Sequence, residues 1–417
     1  MSLNNFFDPK TIAIVGASDH LDKVGGILLK KAIASSCRII PVNPKHDRLL
    51  GIKCYKKIEE YGSEIDLAVI AVPKEFVLGV LEECGKKRIK NIILISAGFS
   101  EVGNIEDEKK LLDMAKQYNM KLLGPNCFGI FNSKINLDLT FSKETPKRGG
   151  IVFIAQSGAL WSYMADLDFG FYGFIGLGNM ADLSFEDWTE YFSDDKKVKD
   201  IVFYIEKLKD GKEFLSACGK ALKNGKRLYA VKVGKSEVGK EAAFSHTASI
   251  ASDFLVYKDI FKQKGIEMRL GLGEVLEEIE GKNNFYRKNP FRDIKKSNLG
   301  KKVFIITNAG GAGALASDYL NDIDFEVIEK PLDILGTALS GDYRKTLEKT
   351  NMEKKCDWIL VILTPQAMTD IENTAKVIAE FKNKNQKEVA VLFLGEKSMK
   401  KAAEIFKKNK VLFFNSF

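Results

Sequence analysis

Three successive series of short, β-branched apolar runs, each run followed by a segment of helical period, divide this 417-residue chain. The first series is Thr11 to Gly16, Arg38 to Val42, Leu67 to Val72, Asn91 to Ser96 and Lys121 to Leu123. The second is Ile151 to Ala155, Phe174 to Leu177, Ile201 to Ile205, Leu228 to Val233 and Ile266 to Arg269; the third is Val303 to Thr307, Trp358 to Leu363, Val389 to Leu394 and Val411 to Phe414. Parallel neighbours need a crossover between them, so this alternation predicts βαβ units and α/β architecture throughout. Length agrees, because a chain this long exceeds the size at which one core keeps growing, and roughly three domains are expected. The expected order is a Rossmann-like domain over 1–147, a flavodoxin-like domain over 148–283, a solvated basic linker over 284–300 and a second flavodoxin-like domain over 301–417. Pro146 and two glycines in Thr145 to Gly150 are read as punctuation that ends the first unit.

The longest apolar runs are far too short to cross a bilayer, and Met1 to Lys10 does not read as a signal peptide, so a cytoplasmic location is expected. Six scattered cysteines form no C-x-x-C pair and have no histidine close by, which predicts no metal site. The net charge of +8 is spread along the chain, which suits small anionic ligands, and no nucleic-acid motif is present.

The second and third series open alike, with Gln156-Ser157-Gly158 and Asn308-Ala309-Gly310-Gly311 turning a buried strand into a helix. Both helix starts are ready anion sites, and the alternative is that a tight strand-to-helix turn needs small residues for purely steric reasons. In the first series Gly16-Ala17-Ser18 and Val24-Gly25 surround a turn where a backbone could approach a pyrophosphate. The second strand ends in Asn43-Pro44-Lys45, where a nicotinamide dinucleotide binder usually places an acid for the ribose diol. A cation there suits a nucleotide with an extra phosphate, and coenzyme A, with its 3′-phosphate, is such a nucleotide. Val72-Pro73, Ser96-Ala97-Gly98 and Asn126-Cys127 also follow strands and should line the same crevice. Nothing in the sequence lowers the pKa of the Cys127 thiol, so a packed or merely adjacent sulfur is expected there.

His246 is one of only three histidines and sits among hydroxyl-bearing residues, between Ser245 and Thr247, in what reads as a loop. A neutral imidazole in such surroundings can attack phosphorus and carry a phosphoryl group; the alternative is a histidine that caps or packs a turn. Glu206 follows the apolar strand Ile201 to Ile205 and is expected to accept a hydrogen bond from one imidazole nitrogen, leaving the other as nucleophile. An exposed, helix-initiating glutamate is the alternative.

These segments, with Phe7-Asp8-Pro9-Lys10, Leu177-Gly178-Asn179 and Leu363-Thr364-Pro365-Gln366-Ala367, form an ordered set that resembles the α subunit of ADP-forming acyl-CoA (acetyl-CoA) synthetases, in the succinyl-CoA synthetase superfamily. The resemblance covers nearly the whole chain. It implies an acid–thiol ligase that converts acyl-CoA, ADP and phosphate to acid, CoA and ATP through an acyl phosphate and a phosphohistidine at His246, with phosphate held at Gln156, Ser157 and Gly158 and beside Ser245 and Thr247. It also implies a separate ATP-grasp β subunit that binds ADP or ATP with Mg2+, and α chains that pair within a hetero-oligomer. The chain departs from the family at Ala248 and Ser252, where glycine is usual, and in a shortened third domain between Gly313 and Lys330. Those departures keep a second reading open, a non-catalytic CoA-binding regulatory or scaffold protein. A nicotinamide-dependent dehydrogenase, which rests on the first βαβ unit alone, is disfavoured by Asn43-Pro44-Lys45.

Overall fold

A computed structural model describes residues 3–247, 254–281, 294, 297, 299–384 and 387–417, with the side chains of 244–247 outside the described set. Three separate sheets carry the fold, and each has the same parallel core, in which the first strand lies between the second and the third and the fourth and fifth follow outward. In the first unit the order is Arg38–Val42, Thr11–Val15, Leu67–Ile70, Asn91–Leu94, Lys121–Leu123. In the second it is Gly170–Gly176, Lys147–Ala155, Asp200–Ile205, Arg227–Lys232, Glu267–Arg269. The third runs Glu326–Val327, Lys302–Thr307, Trp358–Leu363, Glu388–Phe393, Leu412–Phe414. Central strands such as Leu67–Ile70 and Trp358–Leu363 are buried at every residue, as a sheet covered on both faces demands. This order creates a switch point between the first and third strands of each sheet, where loops leave toward opposite faces and open a crevice.

Three expectations give way here. Ile130–Asn132 and Leu137–Asp138, expected in the first unit, add two antiparallel strands to the edge of the second sheet through Gly170–Gly176. Gly149 and Gly150 do not end a unit. They form an irregularity inside the strand Lys147–Ala155, where a Cβ on Gly149 would lie 2.2 Å from the Gly170 carbonyl oxygen, so the glycine permits a close strand crossing. The basic linker is not wholly solvated, because Ile294, among its few described residues, is fully buried in the core shared by the second and third units.

That shared core explains how the last two units join. The helix Gly310–Asp322 of the third unit is buried along most of its length and packs against the helices Ala159–Asp166 and Glu237–Thr247 of the second. Its small residues let the backbones approach. The first unit is tied in by Lys31, whose ammonium lies 2.8 Å from the Asp138 carboxylate and 3.0 Å from Ser142 Oγ. The segment after Asp138 then reaches the third unit, where Phe141 accepts from the Ala367 N–H and Lys143 donates to the Pro365 carbonyl. No helix among the described residues is long and apolar enough to cross a membrane.

Candidate active site

The carboxyl ends of the first sheet, the opening of the second and the switch point of the third face one cleft of about 1610 Å³. From the first unit Val24, Val72, Ser96, Ala97 and Gly98 line it, joined by Asn126 and Cys127; from the second come Gln156, Ser157 and Gly158. These ten expected site residues are therefore brought together. Asn308, Gly310 and Gln366 of the third unit, with Phe141, also line it, and so does the stretch 328–337, for which sequence reasoning had assigned no site role.

Other expected residues support the site from behind. Gly16 (φ +89°) and Gly25 are absent from the wall, and their lack of a side chain is explained by the chain itself. A Cβ on Gly16 would lie 2.3 Å from the Ala71 carbonyl oxygen, and one on Gly25 would lie 2.0 Å from that of Gly16. Ala17 is buried and its carbonyl accepts from Asn43 Nδ2 at 2.8 Å, so Asn43 staples the glycine turn to the second strand. The Asn43 Oδ1 accepts in turn from the Lys45 N–H, which leaves Pro44 and Lys45 exposed at the ligand edge. Ser18 accepts from the His20 N–H, and Pro73 leads into the helix Lys74–Lys86.

The loop Ser96-Ala97-Gly98 is rigid for a reason invisible in sequence. Ser96 Oγ donates to the Val72 carbonyl at 2.5 Å, while the Glu101 carboxylate accepts from the N–H groups of Gly98 and Phe99. Asn179 Nδ2 bridges Glu101 (2.6 Å) and Glu108 (2.8 Å), and Asn179 Oδ1 accepts from Asn126. Cys127 is buried, and that burial pushes its thiol up to about 12, which removes it as a nucleophile at ordinary pH.

At the switch point of the second sheet, Gln156 Oε1 accepts from the backbone N–H groups of Glu206 (2.7 Å) and Lys207 (2.9 Å). Gln156 is 5% exposed, and its Nε2 is buried with no hydrogen-bond partner among the described residues, which is costly unless an acceptor is supplied. Directly beside it the helices Ala159–Asp166 and Gly310–Asp322 begin, so the positive ends of two helix dipoles meet. The meeting is close: a Cβ on Gly311 would lie 2.4 Å from Ser157 Oγ, and Tyr204 donates to the Gly311 carbonyl at 2.8 Å. An orphaned amide donor at two helix N-termini is chemistry for an anion.

Glu206 is buried, not the exposed helix-initiating glutamate that was its alternative, and it stands behind Gln156, off the cleft wall. The backbone of Ser245, His246 and Thr247 closes the helix Glu237–Thr247 instead of a loop, and Glu241 and Ala242 of that helix line the cleft. The side chains of Ser245, His246 and Thr247, and the whole of Ala248 and Ser252, lie outside the described residues.

The chain matches two known families, a "CoA binding domain" over residues 10–133 and a "Succinyl-CoA ligase like flavodoxin domain" over residues 148–279. It is 36% identical to the α subunit of ADP-forming acetate–CoA ligase II from Pyrococcus furiosus, over 98% of this chain and 93% of that subunit. It is 41% identical to the ADP-forming acetate–CoA ligase of Methanocaldococcus jannaschii, over 96% of this chain but only 59% of that longer protein. Among solved structures it resembles acetyl-coenzyme A synthetase 1 of Candidatus Korarchaeum cryptofilum in complex with phosphate and ADP, with a TM-score of 0.63, 29% identity, and coverage of 100% of this chain and 94% of that one.

Proposed function

Because this chain belongs to the family of ADP-forming acetate–CoA ligase α subunits, we propose that it performs the acyl-CoA half of the reaction acyl-CoA + ADP + phosphate → acid + CoA + ATP. The observation that carries this reading is the pair of helix N-termini around the Gln156 amide, whose Nε2 has no partner among the described residues, in a cleft that also reaches the ligand edge of the first sheet. Coenzyme A would lie along Gly16-Ala17-Ser18, Val24, Gly25, Val72, Pro73 and the Ser96-Ala97-Gly98 loop. Lys45 is free to meet its 3′-phosphate, and the thioester would point toward Asn126 and Cys127.

Phosphate held by Gln156, Ser157 and Gly158 attacks the thioester carbonyl. A new C–O bond forms, the C–S bond breaks and CoA leaves as its thiolate, giving an acyl phosphate. The His246 imidazole then attacks phosphorus, the P–O bond to the acyl group breaks, and the acid leaves as carboxylate. Preorganised dipoles at the two helix starts offset the phosphoryl charge, while Ser245 and Thr247 offer hydroxyl donors beside it. Glu206, with its backbone fixed by Gln156, would steady the phosphorylated ring. ADP and Mg2+ would be supplied by a separate ATP-grasp β subunit, within a cytoplasmic hetero-oligomer of paired α chains.

Intact-mass spectrometry of wild type and His246→Ala tests this, after incubation with acetyl phosphate or with acetyl-CoA and phosphate, alone and with the β subunit. Wild type should gain one acid-labile phosphoryl group and the variant none. A wild type that stays unmodified under every condition while still binding CoA would replace the catalytic reading with the scaffold one.

A further inference from the structure

Lys232 ends the strand Arg227–Lys232, next to the strand that delivers Glu206, and is 5% exposed. Its ammonium donates to the Glu206 carbonyl at 3.0 Å and to the Val233 carbonyl, and it lies 5.0 Å from the centroid of the Tyr257 ring. These partners come from three places in the chain. Glu206 closes the neighbouring strand, Val233 leads toward the helix Glu237–Thr247, and Tyr257 belongs to the helix Phe254–Lys264, the next described element after His246. One cation therefore touches the strand end of the carboxylate and the next described helix after His246.

An ammonium is an expensive choice for such a place. Burial lowers its pKa to about 8, with Asp318 and Glu206 pulling the other way, whereas an apolar side chain of similar length would fill the space without desolvating a charge. The charged and titratable groups that face it are Glu206, Asp318 of the helix Gly310–Asp322, Tyr257, and Lys240 of the helix Glu237–Thr247. The stem of Lys240 shares one face of Gly234 with the Lys232 ammonium: a Cβ there would lie 3.6 Å from Lys240 Cγ and 3.8 Å from Lys232 Nζ.

We infer that Lys232 is a positioning residue for phosphoryl transfer: its ammonium ties the backbone of Glu206 to the helix Phe254–Lys264 and so fixes the strand end that carries the carboxylate. The inference rests on the phosphohistidine relay proposed above.

The test is rapid-quench intact-mass measurement of phosphoryl uptake from acetyl phosphate by the full chain assembled with its β subunit, from about pH 6.5 to 9.5, a window that brackets the Lys232 ionisation. Wild type should lose rate on the alkaline side with an apparent pKa of about 8. Lys232→Arg, which stays charged across the whole window, should lose the alkaline limb whatever its rate at neutral pH. Lys232→Met should lose about tenfold to a hundredfold in maximal rate with an unchanged KM for acetyl phosphate. A purely structural lysine would move none of these per folded molecule. A Lys232→Met protein with wild-type rate and pH profile overturns the assignment while leaving the relay intact; a wild type that never takes up phosphate overturns both. If the methionine variant does not fold, the arginine variant decides, and an alkaline limb identical to wild type overturns the assignment.

Discussion

Asp166 and Asp318 hold the second and third units together by the same contact made in opposite directions. Asp318, on the first helix of the third unit, accepts from the N–H groups of Gly234 and Ser236 at 2.8 Å and from Ser236 Oγ at 2.7 Å, all in the loop after the fourth parallel strand of the second unit. Asp166, on the first helix of the second unit, accepts from the N–H of Glu396 at 2.6 Å and from Ser398 Oγ at 2.5 Å, in the loop after the fourth parallel strand of the third. Gln156 and Asp166 stand at the same spacing as Asn308 and Asp318, and Asn308 engages the backbone of Thr364 much as Gln156 engages that of Glu206. The two units thus pair about a local pseudo-two-fold. That pairing is what brings two helix N-termini to one point, with a glutamate offered by one unit and a threonine at the matching strand end of the other.

Removing either staple should loosen this pairing. Asp318→Ala leaves several backbone and hydroxyl donors without an acceptor in a buried place, and about 3 kcal/mol of stability should be lost, with Asp166→Ala costing a similar amount. The two aspartates share no partner, so the double variant should be additive to within about 0.5 kcal/mol. Urea titration of the four proteins checks both statements.

Gly311 should tolerate no side chain. Its added Cβ would lie 2.4 Å from Ser157 Oγ and 2.9 Å from the Tyr204 hydroxyl, so Gly311→Ala must push the two helix starts apart. We expect a stability loss of about 1–3 kcal/mol, typical of overpacking, and a larger proportional loss of phosphoryl uptake. Gly341→Ala, at a helical glycine with nothing within 4 Å of its Cβ, is the control and should be neutral or slightly stabilising.

Lys45 should read the 3′-phosphate of coenzyme A. Its ammonium is exposed and its backbone is fixed by Asn43, so removing the charge alters the ligand contact and little else. Lys45→Ala should raise the KM for CoA by about tenfold at low salt, the scale of one charge-assisted contact, and less at high salt. The KM for dephospho-CoA, which lacks that phosphate, should be nearly the same for both proteins.

Much of this arrangement was legible in the sequence because buried parallel strands leave nearly continuous apolar runs, and in a doubly wound sheet the ligand loops must follow them. Val72, Ser96 and Asn126 could be placed at one edge on that ground alone. What stayed hidden depends on packing between units. Asp166 and Asp318 carried no reading of their own, although the matching openings at Gln156 and Asn308 held a signal for both. Glu101 drew no notice in the sequence, yet it occupies the amides of the Gly98 loop. Gly149-Gly150 read as a break because a bulge and a turn use the same residue. Lys232 lay unremarked inside the run Leu228 to Val233, since only the elements packed over it make it buried.

The stability consequence of that burial can be isolated. The Lys232 pKa falls from 10.5 to about 8 on folding, so between those values the unfolded chain binds more protons than the folded one. Stability must then rise with pH across that window, by up to about 3 kcal/mol from this residue, and be unaffected by it below pH 8, where both states are charged. Other groups titrate there as well, so the quantity to measure is the difference in unfolding free energy between wild type and Lys232→Met at a series of pH values. Wild type should gain on the variant steadily from about pH 8 to 10, and near neutrality the variant should be no less stable than wild type, because methionine removes a desolvated charge and costs two carbonyls one donor. A difference that is flat with pH would mean that the ammonium is better solvated than its surroundings indicate. A difference that falls would mean that its charged form is favoured by the fold, with Glu206 and Asp318 outweighing burial.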